Sequence, residues 1–439
     1  MTTSNDSSAI EPLGPEVAAV VPVSQDSKRR DGAVESTLAQ VDSLVKEALE
    51  EPEFELSVVM PCLNEADTIA ICIEKCNQVI KENNLSAEVV IADNGSTDGS
   101  IEIAKRLGAR VVHVKHRGYG NALRGGIGDA RGKYVIMGDA DDSYNFLEIP
   151  KFLKQLRAGK QLVQGCRLPA GGGQVLPGAM PFSHRWLGNP MFSAMVRRMF
   201  NAPINDVYCG LRGFTKELYN KLDLRCTGME FATEMIIKAS LFHRDEIAEV
   251  PITLHPDGRK AHAPHLRTFR DGWRTLRFFL IYSPKYLFQI PGIIMLMFGL
   301  LAYAMALPGI KIFGASPDAH TMLFGTLAML MGFQLVQFAI FSKTFAIEEG
   351  LMPAEASLTR YSKFFTLERS LIAGAGMLGV GAVMLGVAVN QWRLVNFGPL
   401  DYSSTMRVVI PGMTLAAIGF QTIASSFFLG VLKLGRREN

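Results

Sequence analysis

The sequence predicts an α/β domain built on a mainly parallel sheet, followed by an amphipathic helix and four membrane-spanning helices. Three observations carry this reading. Short β-branched runs alternate with helix-like stretches between residues 55 and 262. Carboxylate-bearing polar clusters follow three of those runs, where an open parallel sheet presents its ligand-binding carboxyl edge. Beyond residue 287 the chain turns apolar, with four stretches near the ~20 residues that cross hydrocarbon.

At 439 residues, 48% of them hydrophobic, the chain exceeds one domain's usual size and suggests membrane segments. Its net charge of +3 is uneven. Residues 1–55 carry four basic and twelve acidic side chains, a balance of −8, so the remainder holds +11. That surplus favours phosphates or an acidic membrane face; a nucleic acid is not among the expected partners. Cys62, Cys72, Cys76, Cys166, Cys209 and Cys226 show neither zinc spacing nor a secreted framework and read as reduced cytosolic thiols.

Residues 1–54 lack the charged-then-apolar pattern of a signal peptide. Ser, Asp, Glu and Pro dominate 1–32, as in a disordered tail, and 34–50 has helical spacing. Order begins at Glu55. Leu56–Met60 is a strand-like run stopped by Pro61, and Cys62-Leu63-Asn64-Glu65 leads into a helix reaching about Asn83. Val89–Ala92 ends in Asp93-Asn94-Gly95-Ser96-Thr97-Asp98-Gly99, a turn able to cap the next helix. Further runs are Val111–Val114, Tyr134–Met137, Leu162–Gln164 and Val250–Leu254. Gly138-Asp139-Ala140-Asp141-Asp142 follows the fourth of these six runs. Asp139 and Asp141 emerge there two residues apart and suit Mg²⁺ or Mn²⁺, which takes one or two carboxylates and completes its shell with water and substrate phosphates. By itself the pair also reads as a turn.

On Ser57–Glu65, Asp93–Gly99 and Asp139-Ala140-Asp141, residues 55–260 resemble family-2 glycosyltransferases with the nucleotide-diphospho-sugar-binding fold, the A-type glycosyltransferase fold. Within that family the pattern is most similar to the polyprenyl-phosphate glycosyltransferases, such as dolichol-phosphate mannose synthases. The resemblance implies a donor pocket formed by Pro61, Asn64, Glu65 and Asp93. It implies that Asp139 and Asp141 hold Mg²⁺ or Mn²⁺ against the diphosphate of a UDP- or GDP-hexose. Gly118 and Gly120, in Gly118-Tyr119-Gly120-Asn121-Ala122, resemble a donor-side glycine segment, and read equally as a helix-entry turn. Arg259 resembles part of a loop, with Lys260, His262, His265 and Arg267, that closes over the donor. Ser143 stands where mannose synthases often keep a Gln ligand, which leaves Asp142, Ser143 or water to complete the metal's shell.

A sugar hydroxyl needs a general base, which polymerising relatives supply beside a Gln-x-x-Arg-Trp motif absent here. A phosphate monoester is already ionised and needs positive clamps. The resemblance assigns Arg167 and Arg185 to those clamps, with Arg212 in the motif Asp206–Phe214. Glu230 and Glu234, one helical turn apart, stand where hydroxyl-using relatives keep an acidic base; they either orient clamp residues or form a structural helix face. In Leu266–Leu280, Arg267, Arg270, Arg274 and Arg277 form one stripe and Phe269, Trp273, Leu276 and Leu280 another, the pattern of an interfacial helix spanning 263–287.

The expected spans are 288–307, 321–341, 370–390 and 408–432 within a membrane domain of 288–439. Basic residues concentrate in 343–369 and in the tail, which places both termini and the catalytic domain, 55–262, in the cytoplasm. Gly374, Gly376, Gly379, Gly381 and Gly386 suggest close helix packing within or between chains, so a homo-oligomer is admitted. The expected activity is inverting, metal-dependent transfer of a hexose, glucose or mannose, from a nucleotide-sugar to a polyprenyl phosphate. Two other readings stand beside it: transfer to a lipid or glycan hydroxyl, and a lipid-carrier translocase or non-catalytic membrane scaffold.

Overall fold

The computed structural model describes residues 52–259, 268–309, 317–353 and 366–433. The expected tail helix at 34–50, and Lys260, His262, His265 and Arg267 of the donor loop, lie outside the described residues.

Among the described residues nine strands form, namely β1 (Phe54–Cys62), β2 (Ala87–Asp93), β3 (Arg110–His113), β4 (Gly132–Met137), β5 (Leu162–Cys166), β6 (Gln174–Val175), β7 (Arg212–Thr215), β8 (Ile247–Pro251) and β9 (Thr253–Leu254). Seven make one sheet in the order β3-β2-β1-β4-β7-β5-β8, and β6 pairs with β9 separately. All neighbours in the large sheet run parallel except at β7, which is antiparallel to both β4 and β5. The single run expected at Val250–Leu254 is divided: its first part belongs to β8 and its last two residues form β9, with Ile252 between them donating to Cys166 O of β5 and accepting from Gln174 N of β6.

The strand residues alternate between two apolar cores, the period of 2 that a sheet imposes. Leu56, Val58 and Met60 of β1, Val89 and Ile91 of β2, and Tyr134 and Ile136 of β4 enter one core. Val59, Val90, Val135 and Met137 enter the other. Both faces are covered, which is why these strands read as continuous apolar runs. Helices α1 (Ile69–Glu82) and α4 (Ile149–Arg157) cover the first face. The second is covered by α3 (Tyr119–Asp129), α5 (Asn189–Phe200) and α7 (Glu230–Phe242); short helices α2 (Ser100–Arg106) and α6 (Lys216–Leu222) complete the layers.

Pro61 is tolerated inside β1 for a geometric reason. Val59 O accepts from Gly138 N on the β4 side, and Cys62 O accepts from Asn94 N on the β2 side. Alternation therefore turns Pro61 toward β4, whose pairing has ended at Val59, so no donor is missed.

Helix α8 (Thr268–Ile281) docks through Phe279, fully buried and edge-on to Phe192 and Phe200 of α5 at 6.0 and 6.1 Å. Trp273 and Ile281, each 61% exposed, face outward with Arg277. Docking on the catalytic core uses Phe279, which lies outside the two expected stripes, and Trp273 of the apolar stripe belongs to the outer face.

Four long helices follow: α9 (Ile290–Ala306), α10 (Ala319–Glu348), α11 (Leu367–Leu394) and α12 (Tyr402–Lys433). Each is long and apolar enough to cross a membrane, α9 together with the π-helical turn Lys285–Gln289 that leads into it, and three extend well beyond the stretches read from hydropathy. Glycines set their packing. A Cβ at Gly292 or Gly299 would meet Gly332 O or Gly325 O at 2.8 and 2.6 Å, and one at Gly374 or Gly381 would meet Gly419 O or Gly412 O at 3.0 and 2.6 Å. Gly376, Gly379 and Gly386 face open space, so only Gly374 and Gly381 of the five expected glycines pack against another helix. The hydroxyls of Tyr303, Thr326 and Thr414, from three helices, bond one another at 2.6–2.9 Å, satisfying polar groups that lipid could not.

Candidate active site at the carboxyl edge of the sheet

Strands β1, β2 and β4 are neighbours, with Cys62 opposite Asp93 and Val59 opposite Met137. Their carboxyl ends therefore bring Asn64 and Glu65, Asp93, and Asp139 and Asp141 to one edge. The chain departs from β1 toward β2 on one side and β4 on the other, the switch point at which open α/β sheets bind ligands.

The first two loops are locked together. Asn64, at φ 60, donates from its backbone N to Ser96 Oγ at 3.0 Å and accepts from Thr97 N at 2.8 Å. Asp93 accepts from Ser96 N at 2.9 Å and Gly95 N at 3.2 Å, and meets His113 Nδ1 at 3.2 Å. Burial raises the Asp93 carboxyl's pKa, but the bonds from Ser96, His113 and Gly95 outweigh it and hold the group below its ordinary value. Asn94 gave no signal in the sequence, yet it accepts from Gly118 N at 2.7 Å and donates to His116 O at 2.8 Å, fixing the 114–118 loop.

Asp139 accepts from the Tyr119 hydroxyl at 2.9 Å. Burial, and next the charge of Asp141, push the Asp139 carboxyl up to about 6, against the pull of Tyr119, Arg259 and Arg167. Asp141 Oδ1 accepts from Ser143 N and Oγ at 3.0 and 2.6 Å, so Ser143 steadies Asp141. Asp142, at φ 59, turns to Lys75 Nζ at 2.6 Å. Among the described residues no group of three or more His, Cys, Asp or Glu side chains converges as a metal cluster. Two carboxylates, all oxygen and no sulfur, fit a hard divalent cation that draws its other ligands from substrate phosphates and water.

Arg259 reaches Asp141 at 2.9 Å and Glu65 at 3.2 Å and pairs with Asp257 at 2.7 Å. It joins the polar clusters that follow β1 and β4. Arg167 is held as a fork on Asp206, Nε to Oδ2 at 2.7 Å and Nη2 to Oδ1 at 2.9 Å, with Asp206 completely buried. Asp206 in turn sits in a loop gripped by Glu249, which accepts from Asn205 N and Asp206 N at 2.7 and 3.0 Å. Arg185 stands apart on an exposed π-helical turn, His184–Gly188, its guanidinium 5.3 Å from the Trp186 ring and its Nε buried without a partner. Phe182, Trp186 and Leu187 around it are largely exposed.

Two expectations are corrected. Arg212, expected at the acceptor phosphate, lies in β7 with no exposed surface, donating to Ala232 O at 2.5 Å and Cys209 O at 2.7 Å. Burial lowers its pKa, and its charge supports the Asp139 region from inside the sheet. Gly118 and Gly120 do not leave room for a donor: a Cβ at either would strike the backbone of Cys226–Gly228 at 2.6–2.8 Å. The helix-entry alternative describes them, since Gly118 caps α3. Glu230 pairs with Arg274 of α8 at 2.7 Å, and Glu234 is completely buried.

Residues 57–223 match the family model described as Glycosyl transferase family 2, and 340–433 match the Glycosyltransferase family 2 C-terminal transmembrane region. The low-salt glycan biosynthesis hexosyltransferase Agl6 of Haloferax volcanii is 38% identical over 384 residues, covering 86% of this chain and 89% of that protein. A dolichyl-phosphate hexose transferase of the same organism is 31% identical over 219 residues, covering 50% of this chain and 89% of that protein. Glucosyl-3-phosphoglycerate synthase of Mycobacterium tuberculosis, solved with UDP, aligns at 22% identity and a TM-score of 0.42 over 52% of this chain and 79% of that one, a likeness too distant to bear on this site.

Proposed function

The chain belongs to glycosyltransferase family 2, and from that premise we propose that it transfers a hexose from a nucleotide-sugar to a polyprenyl phosphate at the membrane surface. The observation that carries the reading is the convergence of Asp139 and Asp141 with Arg259, beside the buried Arg167–Asp206 fork, at one sheet edge. Asp139 and Asp141 would hold Mg²⁺ or Mn²⁺ on the donor's diphosphate, where the cation supplies Lewis-acid neutralisation of the leaving group. Asn64, Glu65 and Asp93 present acceptors to base and ribose, and Arg259 secures the diphosphate.

The acceptor's phosphate oxygen attacks the anomeric carbon. The bond to the nucleoside diphosphate breaks, that group leaves with the electron pair, and configuration inverts. Arg167 and Arg185 are the phosphate clamps. The exposed Phe182, Trp186 and Leu187 around Arg185 suit an amphiphile whose charged head adjoins an apolar chain. An ionised phosphate asks for no general base. Of the two acidic residues that stand where hydroxyl-using relatives keep a base, Glu234 is buried and bonded at both oxygens and Glu230 is paired with Arg274, which disfavours the hydroxyl-acceptor reading. The basic residues of 343–369 and of the tail support a cytoplasmic catalytic domain by the positive-inside rule.

The test is a panel of UDP- and GDP-hexoses offered to the purified protein with polyprenyl phosphate and Mg²⁺ or Mn²⁺, reading lipid-linked product by mass. One hexose donor yielding the lipid-linked sugar supports the reading. No lipid-linked product with any donor contradicts it.

A further inference from the structure

Glu234 has no part in the chemistry above, yet its bonds lead to the site. Its Oε2 accepts from the backbone N–H of Arg225 at 3.0 Å and of Cys226 at 2.8 Å. Its Oε1 meets Lys238 Nζ at 3.0 Å and the Tyr282 hydroxyl at 3.3 Å. Lys238 also donates to Leu222 O and Asp223 O at 3.0 and 2.7 Å, so residues 222–226 are bound to α7 by two buried, mutually paired charges. A buried carboxylate with this many donors is rigid, because any displacement leaves a charge unpaired in a dry interior.

The same loop then crosses the start of α3. Thr227 O accepts from Asn121 N at 3.1 Å. At Gly118 and Gly120 the two backbones touch so closely that a Cβ would stand 2.6 Å from Thr227 O and 2.8 Å from Cys226 O and Gly228 O. Between those glycines is Tyr119, whose hydroxyl donates to Asp139 Oδ1 at 2.9 Å. The Tyr119 ring packs against the core on this face of the sheet, so the place of its hydroxyl follows the place of the α3 N-terminus.

We propose that Glu234 is a positioning residue for Asp139, acting through the Arg225–Gly228 loop and the Tyr119 hydroxyl. The proposal rests on reading Asp139 as a metal-holding carboxylate. Tyr119 occupies one oxygen of Asp139 and fixes the carboxylate's rotation, so the group is presented to a cation without first being ordered. Partners of this kind, which bond a ligand and not the metal, are worth about 10–100-fold in metal affinity. The acidic position that relatives employ as a base is here an element of the scaffold.

The experiment is a Mn²⁺ titration of the full-length protein in detergent, followed by electron paramagnetic resonance. Tyr119→Phe and Glu234→Gln are each expected to weaken Mn²⁺ binding about 10-fold. The double variant is expected to be no weaker than Tyr119→Phe alone, because Glu234 acts through that hydroxyl. Multiplying losses in the double variant, or an unchanged affinity in Glu234→Gln, overturn the proposal. Should Glu234→Gln not fold, Gly120→Ala perturbs the same contact from the α3 side and is expected to weaken Mn²⁺ binding likewise; unchanged affinity there overturns the proposal. If Asp139→Asn binds Mn²⁺ as the unaltered protein does, the metal reading itself fails, which is a different result from a normal Asp139 with an indifferent Glu234.

Discussion

Arg259 spans the loops after β1 and β4 with one guanidinium, reaching Asp141 at 2.9 Å and Glu65 at 3.2 Å. The contact joins residues 118 and 194 positions apart in the chain, and it puts a fixed positive group beside the carboxylates that would grip a diphosphate.

Replacing Arg259 with Ala is therefore expected to raise the donor KM. A charged hydrogen bond is worth about 1.5–3 kcal/mol, so the rise should be on the order of 10–100-fold. The KM for polyprenyl phosphate should change far less. Steady-state kinetics with each substrate varied in turn checks the split, and equal effects on both would remove Arg259 from the donor side.

The Arg167–Asp206 pair yields a stability prediction. Asp206 has no exposed surface and Arg167 is 9% exposed. Asp206→Ala leaves a buried guanidinium uncompensated, and breaking such a pair costs about 3–5 kcal/mol. Urea unfolding of the protein in detergent should show a loss of that order. Arg167→Met, which removes the charge as well, should be milder.

Metal removal gives a third prediction. Chelation should abolish transfer, and Mg²⁺ or Mn²⁺ should restore it. Asp141→Asn should lose metal-dependent transfer even at high metal, because Asp141 would be one of two carboxylates, with Asp139, that hold the cation. Asp142→Asn should retain it, since Asp142 is engaged by Lys75 at 2.6 Å.

Acid should act through Asp93. Its folded carboxyl is held below its ordinary value, with burial opposed by the bonds from Ser96, His113 and Gly95. A depressed folded pKa means the contribution is present above the unfolded value, about 3.9, and is lost as pH falls through the folded value. Asp93→Asn should flatten the low-pH limb of a stability–pH curve, and an unchanged limb would remove Asp93 as its source.

In the membrane, Gly381→Val should disrupt the α11–α12 contact, where a Cβ would lie 2.6 Å from Gly412 O, whereas Gly376→Val meets nothing within 4 Å. Overpacking of this kind costs about 1–3 kcal/mol. Thermal midpoints of the two variants in detergent should differ accordingly, and equal midpoints would contradict the packing.

What could be read in the sequence was what local pattern controls. The runs ending at Pro61, Asp93 and Met137 are buried on both faces, so composition alone marked them, and the carboxylates after them had to emerge at one edge. Strand β7 escaped because Arg212-Gly213-Phe214-Thr215 has neither length nor alternation. It exists because Gly213 fits opposite both Ile136 and Val163. The resemblance of Asp206–Phe214 to an acceptor-side motif put Arg212 at the acceptor phosphate, whereas its place in the sheet buries it. Gly118 and Gly120 were misleading for a related reason: the loop they approach, Cys226–Gly228, lies more than a hundred residues away, and nothing near the glycines announces it. Asn94 matters through bonds to the backbone of Val114, His116 and Gly118, which no spacing encodes.

The acceptor is the claim on which the account turns. The decisive measurement offers the purified protein, with its donor and Mn²⁺, a polyprenyl phosphate and the corresponding polyprenol in equal amount, and follows both products by mass spectrometry. Sugar is expected on the phosphate and none on the alcohol, because Arg167 and Arg185 would clamp an anion and Glu234, bonded at both oxygens, would offer no base to a hydroxyl. Efficient glycosylation of the polyprenol with the phosphate left untouched would contradict it.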